Sequence, residues 1–310
     1  MPVHPQCAAL IETAARVGTP LAAPDHHMVR AGYEAGTAAF AYDSGPLTVT
    51  DTTFAGPAGP IGVRVYRPAG KTEVLPALVF YHGGGWVVGS LDSHDHLCRH
   101  LADGAGIVVL AIDYRLAPEH PFPAALEDSI AAMQWAADAA ETLRIDPRRI
   151  AVAGDSAGGE LAACVTVALR DTGGPDIRFQ ILMYPVCDLL ADNSSIRDNA
   201  EGYLLTVAVY HKMCLWYQPD RSQWGDPRIS PQRAESHRGL PAALVQTAEF
   251  DPLRDEGLTY AETLRSAGVP VEYQCYAGMI HGFARMGGKV DDGKTALDDA
   301  VAALKKIFFS

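Results

Sequence analysis

The stretch GDSAGG, residues 154–159, decides how this chain of 310 residues is read. On its N-terminal side RRIAVAG (148–154) is a short apolar strand. On its C-terminal side AGGELAACVTVALRD has helical spacing and stops at Gly173-Gly174. A G-x-S-x-G between a strand and a helix is the pattern of a nucleophile elbow, a turn so tight that Gly154 and Gly158 stand where a Cβ would strike neighbouring backbone. Ser156 is then held in a strained conformation with its Oγ above the sheet, at a helix N-terminus that favours arriving negative charge. The bare pattern also fits a glycine-rich turn with no chemistry, so it needs a second signal. A dinucleotide loop is excluded, because the spacing is not G-x-G-x-x-G.

The second signal lies upstream. YHGGGWVVGS (81–90) directly follows the apolar strand ALVFY (77–81). Three consecutive glycines let backbone N–H groups turn toward one point, as an oxyanion hole for acyl transfer requires. The candidate donors are two of Gly83, Gly84 and Gly85, joined by the N–H of Ala157. His82 is expected to hold this loop by hydrogen bonds and not to move protons. No Lys-Ser/Thr pair follows the glycines, which excludes a P-loop. The two motifs in this order, each after a strand, are far more specific than either alone.

Outward from these motifs, the first ~45 residues are Ala-rich with helical spacing. PLTVTDTTFAG (46–56) and GPIGVRVYRP (59–68) read as two strands joined by a tight turn. Apolar runs then alternate with helical stretches. Strands are expected at IVVLAIDY (107–114), FQILMYP (179–185), ALVQTAE (243–249) and VPVEYQCYA (269–277); helices at 93–105, 121–143, 255–268 and 293–310. Such alternation argues an α/β fold, with a mostly parallel central sheet flanked by helices. Residues 188–235, rich in Asn, Ser, Trp, Tyr and Met, break the rhythm and are far longer than a usual loop. The expected division is a helical cap made of residues 1–45 and 188–235 over a core made of 46–187 and 236–310.

Nucleophilic catalysis needs a base for the Ser proton and an anion to orient that base. With a nucleophile elbow the chain order is Ser, then Asp or Glu, then His. Only His211, His237 and His281 follow Ser156. The first two lie in or beside the cap segment. His281, in GMIHGF, sits just past the last strand, where a loop reaches the catalytic edge. Asp251, in EFDPLRDEG, follows the strand ALVQTAE and is the candidate acid, although a helix N-cap is its alternative reading. Glu249 is still attached to the strand end, and Asp255 and Glu256 belong on the following helix.

The formal net charge of −12, with no basic run longer than Arg148-Arg149 or Lys305-Lys306, makes nucleic acid a poor candidate partner. The six cysteines contain no C-x-x-C pair, and four of them lie in apolar stretches. They read as free thiols in a reducing compartment, the cytoplasm. No secretory signal is read at the N-terminus, and no apolar run nears the ~20 residues that span a bilayer, so membrane insertion is not expected.

The matching stretches YHGGGWVVGS, DYRLAPEHPFPAALED (113–128), GDSAGG, EGYLLT (201–206), EFDPLRDEG and IHGF make the chain closely similar to the hormone-sensitive-lipase-like carboxylesterases of bacteria (family IV of the α/β-hydrolase superfamily). The resemblance spans about residues 75–285. It implies the α/β-hydrolase fold and hydrolysis of short- to medium-chain carboxylic esters through an acyl-enzyme, with no cofactor and no metal. Carried over residue by residue, it implies a triad of Ser156, Asp251 and His281 with oxyanion donors in Gly83–Gly85 and at Ala157. Look-alike esterases are commonly dimeric, which makes a homodimer a candidate assembly.

One position departs from the family. Where the elbow helix usually continues with Asn, this chain has Glu160, one helical turn past Ser156. It either merely complements the helix dipole or adds negative potential near the site and alters the pH dependence of catalysis. Trp86, Tyr184, Tyr203, Leu204, Leu205, Met213 and Ile280 are candidates for an apolar substrate pocket, with core packing as the alternative for each. His94, His96 and His100 invite a metal reading, which a loop-packing helix outweighs because no third ligand beyond Asp95 or Asp103 is at hand. Arg115 is expected in a structural ion pair with Asp155. Two rival functions remain: a binding protein on a hydrolase scaffold, and an amidase, peptidase or acyltransferase.

Overall fold

A strand buried on both faces needs apolar side chains at every position, and the central runs of this chain meet that demand. A computed structural model describes residues 2–309. In chain order, α1 (Pro5–Val17) and α2 (His26–Thr37) precede the hairpin of β1 (Leu47–Gly56) and β2 (Gly59–Pro68). Then come β3 (Leu75–Tyr81), α3 (Asp95–Ala105), β4 (Val108–Asp113), α4 (Ala124–Asp138), the single turn α5 (Ala140–Leu143), β5 (Ile145–Asp155) and α6 (Ala157–Thr172). The second half runs β6 (Phe179–Met183), α7 (Ser194–Asp198), α8 (Val207–Tyr217), β7 (Ala242–Phe250), α9 (Arg254–Ser266), β8 (Val271–Ile280) and α10 (Asp291–Phe309).

The eight strands form one sheet in the order β1-β2-β4-β3-β5-β6-β7-β8. β2 pairs antiparallel with both β1 and β4, and every other neighbour is parallel. β3 and β6 are buried at every residue, as strands covered on both faces must be. Alternate side chains separate two cores. Leu78, Phe80, Ala151, Ala153 and Ile181 meet Leu97 and Leu101 of α3 and Leu297 and Leu304 of α10. Val79, Tyr81, Val152 and Leu182 meet Met133 of α4, Leu161 and Val165 of α6 and Leu264 of α9.

The site is positioned by where the parallel strands end. β3, β5, β7 and β8 stop at Tyr81, Asp155, Phe250 and Ile280, so the residues that follow each one emerge at the same carboxyl edge. Pairing of Tyr81 with Gly154 sets the glycine loop beside the elbow. Pairing of Phe250 with Ile280 sets Asp251 beside His281. A slip of one residue in either register would turn these side chains to the wrong face.

The 188–235 stretch holds α7, α8 and short 3₁₀ turns, and residues of α1, α2 and α8 line a cavity above Ser156. Lys212 of α8 donates to the carbonyls of Leu21 and Ala23 at 2.9 and 2.8 Å, tying the two segments together. Arg30 of α2 holds both Glu119 oxygens, at 2.7 and 2.6 Å, and donates to Val87 O and Ala117 O. Among the described residues, no helix is long and apolar enough to cross a membrane.

Candidate active site

Ser156 has φ 55° and ψ −120°, a conformation that L-residues rarely adopt and that the surrounding packing must impose. The packing does so through two glycines. A Cβ on Gly154 would run into the carbonyl of Gly158, and one on Gly158 into the carbonyl of Tyr81. With both absent, α6 starts hard against the end of β3, and the serine hydroxyl stands clear of the sheet.

That hydroxyl lies 2.8 Å from Nε2 of His281, and the opposite ring nitrogen, Nδ1, lies 2.7 Å from Oδ2 of Asp251. Asp251 is fully buried, and its other oxygen accepts from Leu253 N at 2.9 Å. Asn199 donates to the Asp251 carbonyl at 3.1 Å. The carboxylate is thus fixed on both sides, and the ring is fixed by the carboxylate. The rival acids are engaged elsewhere. Glu249 accepts from Gly278 N, Asp255 from Ser195 N and Arg254, and Glu256 from Cys187 N. His237 bonds the Pro231 carbonyl. Of the three candidate histidines, only His281 is bonded to Ser156.

Of the three loop glycines, Gly83 is already used: its N–H donates to Asp155 Oδ1 at 2.7 Å. Gly84 and Gly85, both at positive φ, are left with Ala157 as the candidate oxyanion donors. Asp155, the first of the two variable positions of the elbow motif, therefore stitches the elbow to the glycine loop. Burial alone would raise its pKa, but His94, 3.2 Å away, and the Gly83 N–H hold it below the usual carboxylate value. Arg115 does not reach Asp155 as expected. It pairs with Asp128 at 2.8 and 2.7 Å, because the turn after β4 aims it at α4.

His82 does hold the loop. Its Nδ1 lies 2.9 Å from Gly83 O, its ring stacks on Tyr114, and Tyr114 Oη donates to His82 O at 2.7 Å. Burial pushes its pKa down to about 3, which makes it a neutral strut. The other histidines are also strutwork: His96 Nε2 lies 2.8 Å from Arg285 O and His100 Nε2 lies 2.9 Å from Asp298.

Glu160 is fully buried and faces away from solvent, where its Oε2 accepts from Trp86 Nε1 at 2.9 Å and its Oε1 from Cys164 Sγ at 3.2 Å. Burial, only partly opposed by those two bonds, pushes its pKa up to about 8. A carboxyl raised this far is mostly protonated at neutral pH and adds little negative potential there. Its contact is with the glycine loop, through Trp86, whose ring also stacks on Tyr217 of α8 at 4.3 Å and 5°.

The cavity above Ser156 has a volume of about 400 Å3 and a mostly apolar wall. Trp86, Leu204, Leu205 and Met213 line it, as their sequence positions suggested. Tyr184, Tyr203 and Ile280 do not. Tyr184 is buried edge-on behind His281 at 5.0 Å, Tyr203 packs on Phe250, and Ile280 is buried in the core that α3 and α10 cover. Each follows a strand end or loop whose direction no sequence pattern reports. The wall also includes residues not singled out before: Leu10, Ala14 and Val17 of α1, Tyr33 of α2, and Arg285. The i, i+4, i+7 spacing of the first three was the one available signal.

Comparison with known proteins agrees with this geometry. A family described as alpha/beta hydrolase fold matches residues 78–285. The chain is 43% identical to the esterase LipI of Mycobacterium tuberculosis, over 84% of this chain and 82% of that one. It is 41% identical to an ethyl acetate hydrolase of Pseudomonas putida, over 79% of this chain and 78% of the other. Among solved structures, a hyperthermophilic esterase of Pyrobaculum calidifontis superposes with a TM-score of 0.93 at 39% identity, covering 99% of each chain. An ester hydrolase from the metagenome of Lake Arreo gives 0.94 at 41% identity, covering 98% of each.

Proposed function

Since this chain belongs to the hormone-sensitive-lipase-like carboxylesterases of the α/β-hydrolase superfamily, we propose that Ser156, His281 and Asp251 carry its chemistry. It is a serine ester hydrolase. The observation that carries the residue assignment is the unbroken hydrogen-bond chain from Asp251 through His281 to Ser156, in a cavity whose wall includes Gly84 and Gly85.

The ester carbonyl lodges against the glycine loop. Ser156 Oγ attacks its carbon while His281 Nε2 takes the hydroxyl proton, and Asp251 stabilises the imidazolium that forms. The carbonyl oxygen becomes an oxyanion held by the three N–H donors, each worth roughly 2.7–4 kcal/mol in a comparable hole. The intermediate collapses, the bond to the alcohol oxygen breaks, and His281 returns the proton to the leaving alkoxide. Water, activated in its turn by His281, then attacks the acyl-enzyme and frees the acid.

The apolar cavity of about 400 Å3 supports short- to medium-chain acyl groups as the substrate class. Residues 1–45 and 188–235 act as the cap, and 46–187 with 236–310 as the core. The six free cysteines, five of them buried, support the cytoplasm as the compartment.

The test is hydrolysis of p-nitrophenyl acetate, butyrate and octanoate beside a p-nitroanilide, with fluorophosphonate labelling. Ester turnover and labelling of Ser156, both lost in Ser156→Ala with an unchanged melting temperature, are expected. Turnover that survives the substitution means another nucleophile.

A further inference from the structure

A guanidinium keeps its charge at any pH a protein meets, so burying one without partners is costly unless something in the site supplies them. Arg285 is in that position. It stands four residues past His281, in the 3₁₀ turn Phe283–Met286, and is only 8% exposed. Among the described residues its side chain makes no hydrogen bond and no ion pair, and its buried Nη1 has no partner. Its contacts are two aromatic faces. The guanidinium carbon lies 4.2 Å from the ring centre of Tyr33 and 5.1 Å from that of Phe40, and both rings belong to the N-terminal segment.

Those rings do not saturate it. A cation over an aromatic face leaves the in-plane N–H donors of the guanidinium free, and these are the donors that match a carboxylate. Arg285 also lines the cavity that contains Ser156 and His281. Its backbone is locked, since its N–H donates to Gly282 O at 3.1 Å and its carbonyl is bonded by His96. The donor fork is therefore preorganised, with little entropy left to lose on binding. Lys289 at the rim is a second cation in the same wall. The wall's one acid, Asp155, has the Gly83 N–H on one carboxylate oxygen, sits against His94, and acts on Arg285 only through its charge, with no ion pair between them. In a chain of net charge −12, this apolar cavity thus presents two cations and no uncommitted anion.

We propose that Arg285 is a specificity-determining residue that binds a carboxylate carried by the substrate, so that the favoured substrates are acidic esters. This rests on the reading of Ser156 as the nucleophile of an ester hydrolase, and it adds the class of ester. The carboxylate either ends the acyl chain or belongs to the alcohol.

The test compares matched pairs of esters with the full-length chain. For the acyl side, the p-nitrophenyl half-esters of succinate and glutarate are set against p-nitrophenyl 4-oxopentanoate and 5-oxohexanoate, in which a methyl ketone replaces the carboxylate. For the alcohol side, 3-acetoxybenzoate is set against 3-acetoxyacetophenone. In Arg285→Gln, the acid-to-neutral ratio of kcat/KM is expected to fall at least about tenfold in one arm, and Arg285→Lys is expected to recover part of it. The arm that responds identifies which side carries the carboxylate.

A merely structural Arg285 would lower both members of each pair alike, and an unchanged ratio in both arms overturns the proposal. If Arg285→Gln does not fold, the natural chain still decides, because a kcat/KM no higher for the acidic member than for the neutral member in every pair also overturns it. Failure of the natural chain to hydrolyse any of these esters, acidic or neutral, or persistence of activity in Ser156→Ala, would instead sink the underlying assignment of function.

Discussion

The floor and the roof of the cavity are built in opposite ways. The floor is the carboxyl edge of the sheet, where strands buried on both faces deliver Ser156 and Asp251 to 2.8 and 2.7 Å from the two ring nitrogens of His281. The roof comes from α1, α2 and α8, and its N-terminal helices bury only Cys7 and Val29. A few polar ties, such as those from Lys212 and Arg30, hold it down. The difference teaches where each property resides. Reaction geometry sits on the stiffest part of the molecule, while much of the wall above Ser156 is made of side chains with few constraints.

If that contrast holds, changes in the floor should abolish turnover and changes in the roof should alter only what is turned over. The largest effect is expected from Asp251→Asn, which preserves shape but leaves His281 without its anion. The expected fall in kcat is roughly 10⁴-fold, by stopped-flow or steady-state assay. A loss below about tenfold would show that a different acid orients the histidine.

Gly158→Ala comes next. In an ordinary helix such a change stabilises by about 1 kcal/mol. Here the new Cβ meets the Tyr81 and His82 carbonyls, so the sign should reverse, with a loss of roughly 1–3 kcal/mol in urea unfolding and a steep drop in kcat. A gain in stability would mean the end of β3 is not the rigid neighbour described.

Glu160 lies beneath the floor and tests it through pH. Its folded pKa is raised to about 8 from an ordinary 4.5, so the folded chain holds a proton that the unfolded chain releases. Its contribution is fully present below 4.5 and is lost as pH climbs toward about 8, on the order of a few kcal/mol. Glu160→Gln keeps the contact with Trp86 and removes the titration. Urea unfolding at several pH values should show the natural chain weakening relative to the variant across this window, and parallel curves would refute it.

The smallest effect belongs to the roof. Lys212→Met removes two bonds to the Leu21 and Ala23 carbonyls. KM for p-nitrophenyl octanoate should rise about three- to tenfold while kcat for the acetate stays put. A fall in kcat for both esters would mean that roof and floor are mechanically coupled.

The floor was largely legible because its parts announce themselves locally. Glycines at 154 and 158 mark a turn too tight for side chains, HGGG marks exposed amides, and a strand end marks both Asp251 and His281. The roof was legible only as a break in rhythm. Leu204, Leu205 and Met213 were found there, but Tyr203 points to Phe250 instead. Tyr184 and Ile280, which follow or end strands of the floor, were misplaced for the same reason, since the face a side chain chooses at a strand end depends on backbone dihedrals that no spacing encodes. Tyr184, at φ 37°, is an example.

By itself, the order of residues determined the alternation of strands and helices, the elbow, the glycine loop and the chain order of nucleophile, acid and base, because each is a local response to side-chain volume and periodicity. Only the folded molecule decided which glycine amide is spent on Asp155, that Arg115 turns to Asp128, that Glu160 is buried against Trp86, and that Arg285 Nη1 has no hydrogen-bond partner in the cavity above Ser156. Those outcomes depend on which distant surfaces meet and how much water is left between them, and solvation is a property of the assembled interior.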